Sequence, residues 1–344
     1  MRILLTVDPE IPVPPLGYGG IERIVHMLVM HYCKLGFEVT LSANRESKVP
    51  CELKAWEGGS SRGAYNIVAN TLQLTKAVYA GKFDVLHSFS RLAYLTAVLP
   101  LKLPKIMSYQ REPTLSQVKK ANMLARRGSL VFTGCSNYIS DQISAVAESY
   151  TIYNGAPIEV FKPTVNLEED APLMFLGRVE PIKGTHLAIE VARRTGKHLI
   201  IAGNIPQEYT DYFEEMVRPF LNDKIRYVGT VDDSQKNHWL GKSAALLMPI
   251  QWNEPFGIVM AEAMACGTPV LGFGRGSVPE VVEQGVTGFV SNTVDEMVAD
   301  VGRITSIDRR RVREVAEERF SDEKICNDYI ALYRKLSDRK KRNS

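Results

Sequence analysis

The run from Glu254 to Val270, Glu-Pro-Phe-Gly-Ile-Val-Met-Ala-Glu-Ala-Met-Ala-Cys-Gly-Thr-Pro-Val, leaves the backbone few choices. Pro255 and Gly257 suit the start of a helix, and Met260 to Ala265 tolerate one. Gly267 with Pro269 ends it before the apolar strand Val270 to Phe273. The same spacing carries chemistry. Glu254 falls at or just before the first helical residue and Glu262 inside the helix. At a rise of about 1.5 Å per residue the two carboxylates stand roughly 12 Å apart along the axis, with the amides of Phe256, Gly257, Ile258 and Val259 between them. That is the reach from a sugar hydroxyl, across a diphosphate, to a ribose. Helix amides and the positive dipole end favour the diphosphate, and carboxylates accept hydrogen bonds from hydroxyls. The run therefore reads as a nucleotide-sugar site, although an ordinary helix with an acidic start and a solvated glutamate also fits it locally.

A second loop strengthens the first reading. Apolar Leu173 to Leu176 predicts a buried parallel strand that stops at Gly177-Arg178-Val179-Glu180-Pro181-Ile182-Lys183-Gly184. Thr185 is a suitable N-cap for a helix through Arg194, and Lys197 to Gly203 supplies the next strand. Arg178 and Lys183 then emerge at the carboxyl end of a strand, where open α/β sheets bind ligands. A guanidinium fork and a mobile ammonium can neutralise a diphosphate without a metal. A solvated surface pair is the alternative, made less attractive by flanking glycines that permit close backbone approach.

These pieces recur at intervals along nearly the whole chain. They include Gly19-Gly20 after the first strand, Asp84-Val85-Leu86-His87, Asn154-Gly155-Ala156 and the Gly177 to Gly184 loop. Val228-Gly229-Thr230-Val231, the Glu254 and Glu262 pair, Gly276-Ser277-Val278-Pro279-Glu280 and Gly285-Val286-Thr287-Gly288 complete the series. In this order and spacing they resemble the retaining glycosyltransferases of family 4. The resemblance implies the α/β GT-B fold, two doubly wound Rossmann-like domains facing across a cleft.

Alternating strands and helices agree with that fold, and 344 residues at 45% apolar content are enough for two cores. Strand Ile3 to Val7, helix Glu22 to Leu35 and strand Phe37 to Ser42 open the first half. The stretch Pro157 to Pro172 contains prolines and Glu168-Glu169-Asp170 and reads as the interdomain linker. We therefore expect an acceptor-side domain over 1–165 and a nucleotide-sugar domain over 166–320. The resemblance adds a last helix, about 321–344, crossing back to the first domain. Five scattered cysteines, Cys33, Cys51, Cys135, Cys266 and Cys326, have neither paired nor metal-like spacing and suggest a reducing compartment. With no apolar run approaching the roughly 18 residues of a membrane span, a cytoplasmic protein is expected.

Gly17, Gly19 and Gly20 nearly form a dinucleotide fingerprint, but Glu22 stands where the third glycine belongs, which argues against an NAD domain. Gly19-Gly20 leading into a helix still suits an anion, and the resemblance places it across the cleft from the donor phosphates. Family members often carry a histidine after the fourth strand of the first domain; here Gln110 occupies that place, in Ser108-Tyr109-Gln110-Arg111-Glu112. Glutamine can hydrogen-bond a hydroxyl but cannot exchange a proton near neutral pH. His87, on a different strand end, reads as structural. Tyr109, Arg111 and Glu112 are candidate acceptor contacts.

The mechanism implied by the resemblance is front-face displacement without a protein nucleophile, the leaving diphosphate taking the acceptor proton. Arg178, Lys183 and the helix amides would stabilise that leaving group, Glu254 would hold the transferred sugar and Glu262 the ribose. Val231 and Lys236 would border the base. Asp232-Asp233 lack the spacing of a metal motif, so no metal or other cofactor is expected. Resemblance around Pro249 to Pro255 points to a UDP-sugar donor such as UDP-glucose. The acceptor is expected to be a glycan, lipid-linked or natural-product hydroxyl, with no nucleic-acid partner. Residues 102–127 hold seven basic side chains against Glu112, on a chain whose net charge is +3. That asymmetry suggests an anionic or lipid-linked acceptor and peripheral association with the inner membrane face, or simply a solvated helix. An epimerase or phosphorylase of the same fold and a non-catalytic nucleotide-sugar-binding subunit are the alternatives.

Overall fold

The computed structural model describes residues 1–17 and 19–342; Tyr18, within the Gly17 to Gly20 loop, and Asn343 and Ser344, at the end of the expected last helix, lie outside the described residues. The chain forms two compact units, residues 1–153 with 325–344, and residues 154–324. The first contains β1 (Arg2–Thr6), α1 (Gly20–Lys34), β2 (Glu38–Ala43), β3 (Glu52–Ala55), α2 (Ala64–Ala80) and β4 (Val85–Ser88). It continues through β5 (Lys105–Tyr109), α3 (Leu115–Leu124), β6 (Leu130–Gly134), α4 (Asn137–Ser144) and β7 (Ser149–Thr151). These strands form one parallel sheet in the order β3-β2-β1-β4-β5-β6-β7. Ile3, Leu4, Leu5, Leu86, Ile106 and Val131 are all fully buried, as expected where helices cover both faces of a parallel sheet.

The second unit runs β8 (Leu173–Leu176), α5 (Thr185–Thr195), β9 (Leu199–Ala202), α6 (Thr210–Met216), β10 (Ile225–Tyr227), α7 (Asp233–Lys242) and β11 (Ala245–Met248). Then follow α8 (Ile258–Ala265), β12 (Val270–Phe273), α9 (Val278–Val281), β13 (Gly288–Ser291), α10 (Val294–Val301) and α11 (Arg309–Phe320). Its parallel sheet has the order β10-β9-β8-β11-β12-β13. Both sheets reverse their strand order next to the first strand of the unit, the place where such sheets bind ligands beyond the carboxyl ends. The fold is thus the expected pair of doubly wound Rossmann-like units.

The boundary lies at Tyr153 and Asn154 rather than between 165 and 166. The segment read as a linker is fastened to the second unit instead. Ala156 N donates to Phe320 O at 2.9 Å and Thr164 N to Cys266 O at 3.1 Å. Arg313 Nη1 reaches both Phe161 O and Ala265 O at 2.5 Å. Proline and acidic composition marked an irregular backbone, not a loose one.

A last helix, α12 (Asp322–Arg342), belongs from Ile325 onward to the first unit. Its Tyr333 hydroxyl meets His87 Nδ1 at 2.5 Å and Tyr32 at 3.1 Å, while Ser108 Oγ meets His87 Nε2 at 2.7 Å. Burial holds the His87 imidazole down to about 3, so this ring is a neutral core strut. Among the described residues no helix is long and apolar enough to cross a membrane.

Candidate functional site

The carboxyl edge of the second sheet builds the site from two loops. One follows β8 and carries Arg178, Glu180 and Lys183; the other follows β11 and carries Trp252 and Glu254. Gly184 lets them meet. Its φ is +76°, and a Cβ there would lie 2.0 Å from Pro249 O, so only glycine fits. Gln251 then donates its backbone N to Ile182 O at 2.8 Å and its side-chain amide to Pro181 O at 2.9 Å.

On this frame Lys183 Nζ lies 2.5 Å from Glu254 Oε2. The same oxygen accepts from Trp252 Nε1 at 3.0 Å, and the ammonium sits 4.8 Å from the Trp252 ring centroid. Arg178 Nη2 lies 2.8 Å from Glu180 Oε1. Burial pushes the Glu180 carboxyl up, helped by the nearby Glu254 charge and opposed by Arg178 and Lys183. Both expected phosphate cations are therefore held by carboxylates, a pairing that fixes where they point.

Glu254 is itself clamped from behind. Gly276, at φ +59°, approaches so closely that a Cβ would stand 2.3 Å from Glu254 O. Ser277 N donates to that carbonyl at 2.9 Å and Ser277 Oγ to Phe256 O at 3.0 Å.

Past the clamp, Gly257 caps α8 in the left-handed region and no side chain caps the helix. Phe256 is buried, Gly257, Ile258 and Val259 are partly buried, and Ile258 and Val259 form the first turn. One turn on, Glu262 faces α7. Its Oε1 meets Lys236 Nζ at 2.6 Å, and that ammonium also reaches Asp233 Oδ1 at 3.1 Å. Glu262 Oε2 is buried with no hydrogen-bond partner. A carboxylate oxygen left so in a native site points to a group that arrives with the ligand. Asp232 and Asp233 have local tasks, Asp232 closing a capping box with Gln235 at the start of α7. Val231 lies half-buried just ahead of that cap.

The structure thus brings Arg178, Lys183, Lys236, Glu254, Glu262 and residues 256–259 onto one edge of one sheet. Gly19, Gly20 and Gln110 are in the first unit. Gly19 caps α1 and Gly20 begins it, and Gln110 directly follows β5, so both lie at the carboxyl edge of the first sheet. The surroundings of Gly19-Gly20 carry charges of both signs. Burial raises the Glu22 carboxyl, with the Asp8 and Glu10 charges adding to it, and burial raises Asp8 likewise. Asp8, Glu10 and Glu22 thus gather near this helix start, with the Arg91 and Arg111 charges acting on Asp8.

The basic run 102–127 also divides. Lys105 is buried, its Nζ donating to Leu101 O and Leu103 O at 2.7 Å each. Arg111 follows the carboxyl end of β5, whereas Lys102, Arg126 and Arg127 precede β5 and β6 and lie at the opposite, amino edge. It is not one surface facing an acceptor.

Sequence reasoning missed Glu180, Trp252, Gly276 and Ser277 as parts of the site. Trp252 donates its Nε1 to Glu254 only two residues on, a local pairing the sequence reading did not draw. Gly276 and Ser277 act through a backbone approach that no local pattern shows.

Residues 18–160 match the family described as Glycosyltransferase Family 4, and residues 158–319 that described as Glycosyl transferases group 1. A phosphatidyl-myo-inositol mannosyltransferase of Propionibacterium freudenreichii is 28% identical over 73% of this chain and 67% of its own length. Among solved structures, AviGT4, a glycosyltransferase involved in avilamycin A biosynthesis, superposes with TM-score 0.76 at 23% identity, covering 98% of each chain. Anabaena HepE in complex with UDP-glucose gives 0.76 at 17% identity, covering 96% of this chain and 99% of that one.

Proposed function

The chain belongs to the family 4 glycosyltransferases, and from that premise we propose that it moves a hexose from a UDP-sugar, UDP-glucose or a close relative, to a hydroxyl acceptor with retained anomeric configuration. The observation that carries this reading is the arrangement around α8. A Lys183–Glu254 pair precedes its uncapped start, and a Lys236–Glu262 pair follows with one buried glutamate oxygen still lacking a donor. A diphosphate on the helix amides fits between a sugar held by Glu254 and a ribose that fills the vacant acceptor on Glu262. HepE, solved with UDP-glucose, supports the choice of base and sugar.

In the proposed reaction the bond from the sugar's anomeric carbon to the diphosphate oxygen breaks as the acceptor oxygen bonds on the same face. The acceptor proton passes to the departing diphosphate. Negative charge grows on that leaving group, and Lys183, Arg178 and the α8 amides are preorganised to receive it. These groups supply the positive charge, so the mechanism calls on no metal. Gln110, Gly19 and Gly20 are assigned to the acceptor side, Gln110 as a hydrogen-bonding group. Calorimetry with UDP, GDP and ADP tests the donor: UDP should bind most tightly, and a clear preference for GDP would overturn the UDP assignment while leaving the family intact.

A further inference from the structure

The cations of the first unit gather away from the edge where ligands of such sheets bind. Lys102, Arg126, Arg127, Arg339 and Lys340 line a groove of about 760 Å³, and no carboxylate is among its described lining residues. The groove lies between the loop before β5, the loop before β6 and the last turns of α12. Every strand pair in this sheet is parallel, so these loops occupy its amino edge. Five residues of strand put that edge roughly 16 Å from the carboxyl edge of the same sheet, where Gln110 and the Gly19-Gly20 turn lie.

We propose that this groove is a second anion site, binding a phosphate group carried by a soluble ester or by a lipid headgroup. Its construction goes beyond an accumulation of surface charge. Lys105, buried beneath the loop, donates to the carbonyls of Leu101 and Leu103 on either side of Lys102 and thereby fixes the loop that presents it. Burial, with the Lys340 charge adding, lowers the Lys105 ammonium to about 7. Arg339 is held at the wall by two hydrogen bonds of 2.8 Å to Glu148, outside the groove lining. Arg126 and Arg127 are exposed and side by side, and a pair of guanidinium forks suits the several oxygens of a phosphate. Exposed Lys102, Arg126 and Arg127 thus add a local positive potential at this edge, beside the Arg339–Glu148 pair. Exposed Met123 and Leu124 end the helix that leads to Arg126, which makes a lipid surface one of the two sources to be tested.

The test compares the full chain with its Arg126→Glu/Arg127→Glu variant at low salt, in two arms. Inorganic pyrophosphate is titrated by calorimetry, and vesicles of phosphatidylglycerol with phosphatidylcholine, or of phosphatidylcholine alone, are co-sedimented. The donor site contributes equally to both proteins, so a difference between them reports the groove. The variant should bind at least about tenfold more weakly, as expected for two lost charge-assisted contacts. A difference with pyrophosphate alone identifies a soluble phosphate, and a difference confined to anionic vesicles identifies the headgroup; either supports the site. Identical behaviour of the two proteins in both arms, or binding in neither, overturns it. Should charge reversal impair folding by thermal melting, Arg126→Gln/Arg127→Gln gives the same comparison.

Discussion

The carboxyl edge of the second sheet and the amino edge of the first both concentrate cations, but they treat them oppositely. At the first of these, Arg178, Lys183 and Lys236 each face a carboxylate within 2.8 Å. In the groove before β5 and β6, Lys102, Arg126 and Arg127 are exposed, and Arg339 is anchored by Glu148 from beyond the lining. The difference is one of purpose. Reaction chemistry needs charges aimed within a fraction of an ångström, and a buried carboxylate aims a cation at the cost of partly neutralising it. A site that only attracts a phosphate needs the charge itself.

The largest effect should come from removing an aimed charge. Lys183→Ala is expected to lower turnover at saturating donor about a hundredfold, the worth of roughly 3 kcal/mol of preorganised charge at the leaving group. Near-normal turnover in a steady-state assay would break the contrast, since Lys183 would then be no better used than a groove lysine. Next, the clamp can be broken without touching a charge. Gly276→Ala places a Cβ against the Glu254 backbone at a positive φ, so we expect about 2 kcal/mol of lost stability together with weakened donor affinity. Thermal melting with calorimetry checks both; a full-strength donor site would show that Glu254 does not depend on this clamp.

Per pH unit, a smaller effect concerns how the first unit holds its core. His87 stays neutral down to about 3, whereas an unfolded histidine titrates near 6.5, so below about pH 6.5 the unfolded chain binds the extra proton. Stability should therefore fall as pH drops from 6.5 toward 3, by about 1.4 kcal/mol per unit from this group. Melting curves of wild type and His87→Gln over that range should differ in slope, and parallel slopes would remove His87 as the cause. The smallest effect is expected at the Arg339–Glu148 pair on the groove wall. Arg339→Ala breaks a partly exposed pair with Glu148 and should cost about 1 kcal/mol or less, diminishing in high salt.

How much of this was legible in the sequence depends on whether a feature is local. The strands Leu173–Leu176 and Val270–Phe273 were readable to the residue, because an apolar run ending in glycine or proline leaves little freedom at its ends. The carboxylate spacing from Glu254 to Glu262 was also readable, since it needs only the rise of a helix. What was not legible depends on distant partners. That Lys183 faces Glu254, 71 residues away, and Lys236 faces Glu262, 26 away, cannot be seen from either loop alone. The linker shows the same limit: Pro157 to Pro172 has linker composition, yet Arg313 and Cys266 tie it to the second unit. The basic run 102–127 is split between edges for a topological reason, because residues before and after one strand come out at opposite edges of the sheet.

Donor-saturation kinetics of Glu262→Ala beside Lys183→Ala test the central claim most directly, that the two ends of α8 have separate tasks. Charge on the ribose hardly changes during transfer, so Glu262→Ala should act mainly through a donor KM raised about tenfold, whereas Lys183→Ala should act mainly through kcat. Because Glu262 lies in the helix whose amides face the diphosphate, a modest fall in its kcat is compatible with the account. Equal losses of kcat in both folded variants, with the donor KM unchanged in each, would contradict it.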